Sequence, residues 1–187
     1  MNGMKTILII DDMEDNINTL MSLLDDKYDI LASLDGESGL DILADEENID
    51  LILLDILMPG MDGFEVCRRL KSNFKTKDIP VIFITADNNE NTIEKAYEMG
   101  GVDYITKPLN ARELFSRINT HLSLSEQKHL LEKDLQANIT LLNQCIFNSS
   151  NEIVVYFVNQ LIKNKGTDVP NGSGKHSFCF FSIISYQ

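Results

Sequence analysis

No stretch of this sequence stays apolar long enough to cross a bilayer, so a membrane-spanning protein is not expected. The apolar run nearest the N-terminus, Ile7-Leu8-Ile9-Ile10, stops at Asp11-Asp12. A secretory leader needs a longer apolar region and a small-residue cleavage site, so no export is expected either. Cysteine is scarce: Cys67, Cys145 and Cys179 are odd in number and widely spaced. That excludes a disulfide framework, and none stands at metal-ligand spacing, so reduced thiols and a cytoplasmic location are expected. Positive charge is short as well, with 16 Lys and Arg against 29 Asp and Glu and a formal net charge of -13. The whole excess lies in residues 1–122, while 123–187 balances to zero. A domain this acidic repels nucleic acid, and the tail carries no basic stripe, so direct nucleic-acid binding is excluded. Motifs of an enzymatic output are missing too. There is no Gly-Gly-acidic cyclase signature, no His-Asp hydrolase pair, no kinase nucleotide box and no basic recognition helix.

What is present is enough apolar material for a core, at 43% hydrophobic and 24% charged residues. Five apolar runs alternate with five helical patterns. The runs are Thr6 to Ile10, Tyr28 to Ala32, Leu51 to Leu54, Val81 to Ile84 and Val102 to Ile105. Between them, apolar residues recur at helical spacing, as in Ile17, Leu20, Met21 and Leu24, or Phe64, Cys67 and Leu70. Met58-Pro59-Gly60-Met61-Asp62-Gly63 is a loop of turn formers. This alternation predicts an α/β fold: a doubly wound, five-stranded parallel sheet of order 2-1-3-4-5 with helices on both faces.

In such a sheet, function sits at the carboxyl ends of the strands. Strand one ends in Asp11-Asp12, strand three in Asp55 and strand four in Thr85-Ala86, and strand five is followed by Lys107-Pro108. Brought to one rim, three carboxylates repel one another and call for a cation; an all-oxygen site suits Mg²⁺. A carboxylate oxygen of Asp55 can then attack phosphorus as a nucleophile. Mg²⁺ and Lys107 would neutralise the transferring group, the Thr85 hydroxyl would donate to one of its oxygens, and the small Ala86 would leave the acceptor approachable.

The ordered set Asp11-Asp12, Leu54-Asp55, Met58 to Gly63, Thr85-Ala86 and Asp103-Tyr104-Ile105-Thr106-Lys107-Pro108 resembles the receiver family of two-component signalling, over about residues 4–122. The resemblance implies that Asp55 accepts a phosphoryl group from a sensor histidine kinase or a phosphotransfer protein. It implies Mg²⁺ ligation by Asp12, Asp55 and the main-chain carbonyl of Leu57, with Asp11 acting mainly through water. It implies that Lys107 pairs with the phosphoryl group, that the Lys107-Pro108 bond is cis, and that Thr85 and Tyr104 form a switch read through helix four, strand five and helix five. Gly101 stands where many relatives have a larger small residue, and little weight is attached to that.

Plainer readings accompany these. Asp12 could cap the first helix, Thr85 could cap the fourth, Tyr104 could be core, and His121, His129 and His176 are expected to be surface or interface residues without carboxylate partners. An aspartyl-phosphate phosphohydrolase on the same sheet is the alternative function, but that class has an acid two residues after its nucleophile, where this chain has Leu57. A flavin-binding module would want Ser, Thr and Gly after strand one, and the chain has Asp11-Asp12-Met13-Glu14-Asp15.

From Arg112 onward the helical pattern does not stop. One heptad line holds Leu124, Leu131, Asn138 and Cys145, and the other holds Leu114, His121, Lys128, Leu135 and Leu142. Two readings stay open: a two-stranded coiled coil between copies, its register fixed by Asn138, or a helix folding back on its own chain. The expected organisation is a receiver domain over 1–122, a helical linker over 123–148 and an unassigned segment over 149–187. Within the last, 152–162 is expected as an amphipathic helix or a strand-helix mixture, 166–175 as a loop and 177–186 as a strand. A homodimer, if formed, is expected through the helix-four, strand-five, helix-five face or through the helical tail.

Overall fold

The computed structural model describes residues 3–46, 48–87 and 89–164. The loop expected at 166–175 and the strand at 177–186, with His176 and Cys179, lie outside them. The chain divides into two units, Met1–Lys133 and Asp134–Gln187.

The first unit is a five-stranded parallel sheet with strand order β2-β1-β3-β4-β5. Its strands are β1 (Lys5–Ile10), β2 (Tyr28–Ser33), β3 (Leu51–Asp55), β4 (Val81–Thr85) and β5 (Asp103–Thr106). Its helices are α1 (Glu14–Leu24), α2 (Gly36–Asp45), α3 (Gly63–Ser72) and α4 (Glu90–Glu98), followed by the start of α5 (Ala111–Asn164). The order matches the expected one. β3 and β4 are buried along their whole length, which is why Leu51 to Leu54 and Val81 to Ile84 read as unbroken apolar runs and not as an alternation.

The side-chain period of two splits the core between the faces. Leu8, Ile10, Ile52, Leu54, Val81 and Phe83 pack with Phe64, Val66, Cys67 and Leu70 of α3 and Ala96 of α4. Ile7, Ile9, Leu51, Leu53, Ile82, Ile84 and Ile105 pack with Ile17, Leu20 and Leu24 of α1 and Leu114, Ile118 and Leu122 of α5. Helix entries are set by short polar side chains. Asp35 accepts from the Ser38 N–H at 2.8 Å and Asp62 from the Glu65 N–H at 2.8 Å. The N-cap of α1 is Met13 and that of α4 is Asn89, so neither Asp12 nor Thr85 does the capping that a plainer reading allowed.

Gly101 matters more than the sequence suggested. A Cβ there would lie 2.6 Å from the Phe83 ring and 2.9 Å from the Ala96 carbonyl oxygen, so the turn from α4 into β5 closes tightly only because no side chain intervenes.

The heptad assignment needs a correction at its start. Leu114 is fully buried against the sheet, and His121 faces Asp103 of β5. Both therefore belong to the packing of the first unit and cannot serve a seam between chains. Helical apolar spacing looks the same whether the stripe meets a sheet or another helix. The segment 152–162 lies within α5 and is helical throughout. Beyond the part packed on the sheet, α5 leaves Leu131, Leu135, Ile139, Leu142 and Ile146 exposed, from 41% at Ile139 to 71% at Leu131. Among the described residues, no helix is long and apolar enough to cross a membrane.

Candidate phosphoacceptor and metal site

The strand registers explain how the site assembles. Ile10 pairs with Leu54, so the next residues, Asp11 and Asp55, leave neighbouring strands at the same level. Asp55 pairs with Ile84, and Thr85 with Thr106, so Thr85 and Lys107 follow on the same rim. Asp11, Asp12 and Asp55 each offer a carboxylate oxygen, all within 4.8 Å of one another. Asp12 is the most accessible of the three, whereas the side chains of Asp11 and Asp55 are 1% and 6% exposed.

Lys107 reaches across this group. Its Nζ donates to Asp11 Oδ2 at 2.9 Å and to Asp55 Oδ2 at 2.8 Å. Asp11 is further held by the Met13 N–H at 2.9 Å and by Asn16 Nδ2 at 2.7 Å. Burial raises the Asp55 pKa, the Lys107 contact opposes that, and the Asp11 charge adds to it; the outcome is a carboxyl above its ordinary value. For Lys107, burial works against the ammonium, but the hydrogen bonds and charges of Asp55 and Asp11 outweigh it and raise its pKa. The site thus holds two nearly buried acids on a single amine, with a third acid facing outward.

The other expected residues fall around this centre. Leu57 follows Asp55 on the loop, its N–H 3.4 Å from Asp55 Oδ1, and its side chain is exposed. Thr85 is buried at the end of β4, where its hydroxyl accepts from the Asp87 N–H at 3.0 Å, and Ala86 is exposed beside it. The Lys107 N–H donates to the Thr85 carbonyl at 2.8 Å, and the Lys107-Pro108 bond is cis. Tyr104 lies farther along β5, partly exposed, with its ring edge-on to Tyr97 at 6.2 Å between centroids.

Some participants were not singled out from sequence. Asn16 is one; its position one turn into the first helix after an Asp-Asp pair was the available signal. Gly63 is another. A Cβ there would lie 2.1 Å from the Asp55 carbonyl oxygen, and its N–H donates to the Ile56 carbonyl at 3.0 Å, so α3 starts directly against the backbone of Asp55. His121, expected to have no carboxylate partner, lies 3.0 Å from Asp103.

An all-oxygen set of one exposed and two buried carboxylates fits a hard divalent cation that keeps part of its water, as Mg²⁺ does. An oxygen nucleophile with an ammonium 2.8 Å away fits attack on an electrophile that gathers negative charge.

Comparison with known proteins points the same way. The family model described as "Response regulator receiver domain" matches residues 7–119. The chain is 44% identical over 126 residues to the "Probable cyclic di-GMP phosphodiesterase" of Vibrio cholerae, covering 67% of this chain and 28% of that protein. It is 40% identical over 115 residues to the response regulator PleD of Caulobacter vibrioides, covering 61% of this chain and 25% of that one. A solved two-component response regulator from Clostridium difficile superposes with a TM-score of 0.60 at 29% identity, over 64% of this chain and 96% of that structure. The chain thus matches only about a quarter of the length of these curated relatives.

Proposed function

Because this chain belongs to the response regulator receiver family, and is therefore a phosphorylation-dependent response regulator, we propose that Asp55 is the residue that takes the phosphoryl group. The observation that carries the assignment is the bridge from Lys107 Nζ to Asp11 and Asp55 within a cluster of three carboxylates.

Receiver domains bind Mg²⁺ at an acidic pocket. Here Asp11, Asp12, Asp55 and the main-chain carbonyl of Leu57 would hold it, Asp11 mainly through water. When bound, the ion supplies positive charge to the oxygens of the transferring phosphoryl group. An Asp55 carboxylate oxygen attacks phosphorus; the new O–P bond forms as the donor's N–P bond breaks, and the departing imidazole keeps the electron pair and is protonated. Lys107, already against Asp55, turns its ammonium to a phosphoryl oxygen. The Thr85 hydroxyl donates to another, and the exposed Ala86 methyl leaves the approach open. Thr85 and Tyr104 then change position together, altering the face formed by α4, β5 and α5.

Receiver domains take phosphoryl groups from histidine kinases, and a sensor kinase or a phosphotransfer protein is the proposed donor here. A second copy of the chain is a proposed partner, through the α4, β5, α5 face or through the exposed stripe of α5. The likeness to the protein named as a phosphodiesterase covers 126 residues, 28% of that protein, so only receiver chemistry is proposed for this chain.

The test is incorporation of phosphate from acetyl phosphate. Wild-type chain should label with Mg²⁺ and fail to label with chelator, and Asp55→Asn should not label in either condition. Equal labelling of Asp55→Asn would remove the assignment.

A further inference from the structure

We propose that Asp103, Arg117 and His121 form a clamp that holds the Tyr104 ring in its partly exposed place, making them positioning residues for the switch. The proposal rests on the reading above, in which Tyr104 moves when Asp55 is phosphorylated.

Arg117 and His121 are four residues apart, so they project from one face of α5, and that face meets the first residue of β5. The Asp103 side chain, 13% exposed, joins the two elements. Its Oδ1 accepts from Arg117 Nη1 and from the Tyr104 N–H at 2.9 Å, and its Oδ2 lies 3.0 Å from His121 Nε2. Glu113, one turn earlier on α5, accepts from Arg117 Nε at 3.0 Å and Nη2 at 2.8 Å. Three guanidinium nitrogens are therefore fixed by two carboxylates. The Cζ of the guanidinium so held lies 5.7 Å from the centre of the Tyr104 ring, which also packs edge-to-face with Tyr97.

Burial opposes ionisation of Asp103, yet hydrogen bonds from Arg117, His121 and the Tyr104 N–H outweigh it and leave the carboxyl below its ordinary value. The Asp103 carboxylate is thus a settled anion held between Arg117 and His121. None of the three residues hydrogen-bonds to Asp11, Asp55 or Lys107, so they act on the switch and not on phosphoryl transfer. For the ring to leave its place it must give up Arg117 and Tyr97. How firmly Arg117 is held then sets the balance between the two ring positions, and His121 contributes by fixing the carboxylate that Arg117 uses.

The full chain can be tested with fluorotyrosine incorporated and the Tyr104 resonance identified by its loss in Tyr104→Phe. Spectra are recorded without and with beryllofluoride and Mg²⁺, and Asp55 labelling by acetyl phosphate is measured in parallel as a check on folding and chemistry. In wild type the resonance should move on adding beryllofluoride. In His121→Ala, without it, the population in the moved position should rise, by at most about five-fold, because Arg117 keeps its own contact with the ring and one exposed cation–aromatic contact is worth no more than that. His121→Gln, which keeps an N–H donor, should restore the wild-type spectrum, and Asp103→Asn should repeat the His121→Ala result by weakening both contacts at once. Asp55 labelling should persist in all of them. If wild-type Tyr104 moves but His121→Ala and Asp103→Asn match wild type in both conditions, the clamp is refuted. An effect of His121→Ala that His121→Gln fails to reverse refutes the role of His121. If Asp55 labels yet wild-type Tyr104 does not move, the switch reading falls and the clamp with it.

Discussion

Replacing Lys107 with methionine keeps the length of the side chain and removes its charge. Asp11 and Asp55, nearly buried, then face each other with no cation between them. Breaking a buried ion pair by removing one partner costs about 3–5 kcal/mol, because the remaining charge stays desolvated. The Lys107 side chain is 20% exposed, so the lower part of that range applies, about 3–4 kcal/mol. The sign of the pH dependence follows from Asp55. Its pKa is already above the ordinary value in the folded chain, so its contribution to stability falls as pH rises from the unfolded pKa through the folded one. Without Lys107 the pKa rises further. The deficit of Lys107→Met should therefore be full at neutral pH and shrink as pH falls into the ordinary carboxylate range, where Asp55 is protonated. It should also shrink at alkaline pH, where wild-type Lys107, whose pKa is raised, finally loses its own proton. Mg²⁺ should do the opposite of chelator. At a hundred times its Kd an ion adds about 2.7 kcal/mol, and it should bind the variant more tightly because no ammonium competes for Asp11 and Asp55. The assay is urea unfolding by far-UV circular dichroism, in chelator and in Mg²⁺, across pH. A variant within about 0.5 kcal/mol of wild type in chelator at neutral pH would refute the reasoning, that margin being ordinary for a surface substitution. So would a deficit that Mg²⁺ leaves unchanged.

Three further outcomes are expected. Gly101→Ala should lose about 1–3 kcal/mol in urea unfolding, since its Cβ would overlap the Phe83 ring and the Ala96 carbonyl; a neutral result would show that the α4–β5 turn can open. The Cys67 thiol, pushed up to about 11 by burial, should resist alkylation at pH 8 in the native chain and react on unfolding, as followed on its own peptide by mass spectrometry; equal rates in both states would contradict its placement in the core. If the exposed stripe of α5 pairs two copies, Leu135→Asp with Leu142→Asp should convert a dimer to a monomer in sedimentation, and an unchanged mass would send the search to the α4, β5, α5 face.

The rim was legible because apolar strands buried on both faces end abruptly in charge. Asp11, Asp55 and Thr85 each follow or close an apolar run, Lys107 comes just after the last one, and the parallel order brings them to one side. The Asp103–Arg117–His121 cluster was not legible by that route. Arg117 and His121 have helical spacing to each other, but only the packing of α5 beside β5 gives them Asp103 as a partner. Leu114 and His121 were drawn into a heptad line because a repeat near 3.5 residues records that one face is apolar, not what covers it. Gly101 looked incidental for a similar reason: its need is set by Phe83, eighteen positions earlier, at a distance only the fold defines.

The most direct measurement is the position of the phosphoryl group. Chain treated with acetyl phosphate is reduced with borohydride, which traps an aspartyl phosphate as an alcohol, and digested for peptide mass spectrometry. The account predicts modification at Asp55, with Mg²⁺ and not with chelator, while Asp11 and Asp12 remain unmodified. Modification at either of those residues, or at Asp55 to the same extent without a divalent ion, would contradict it.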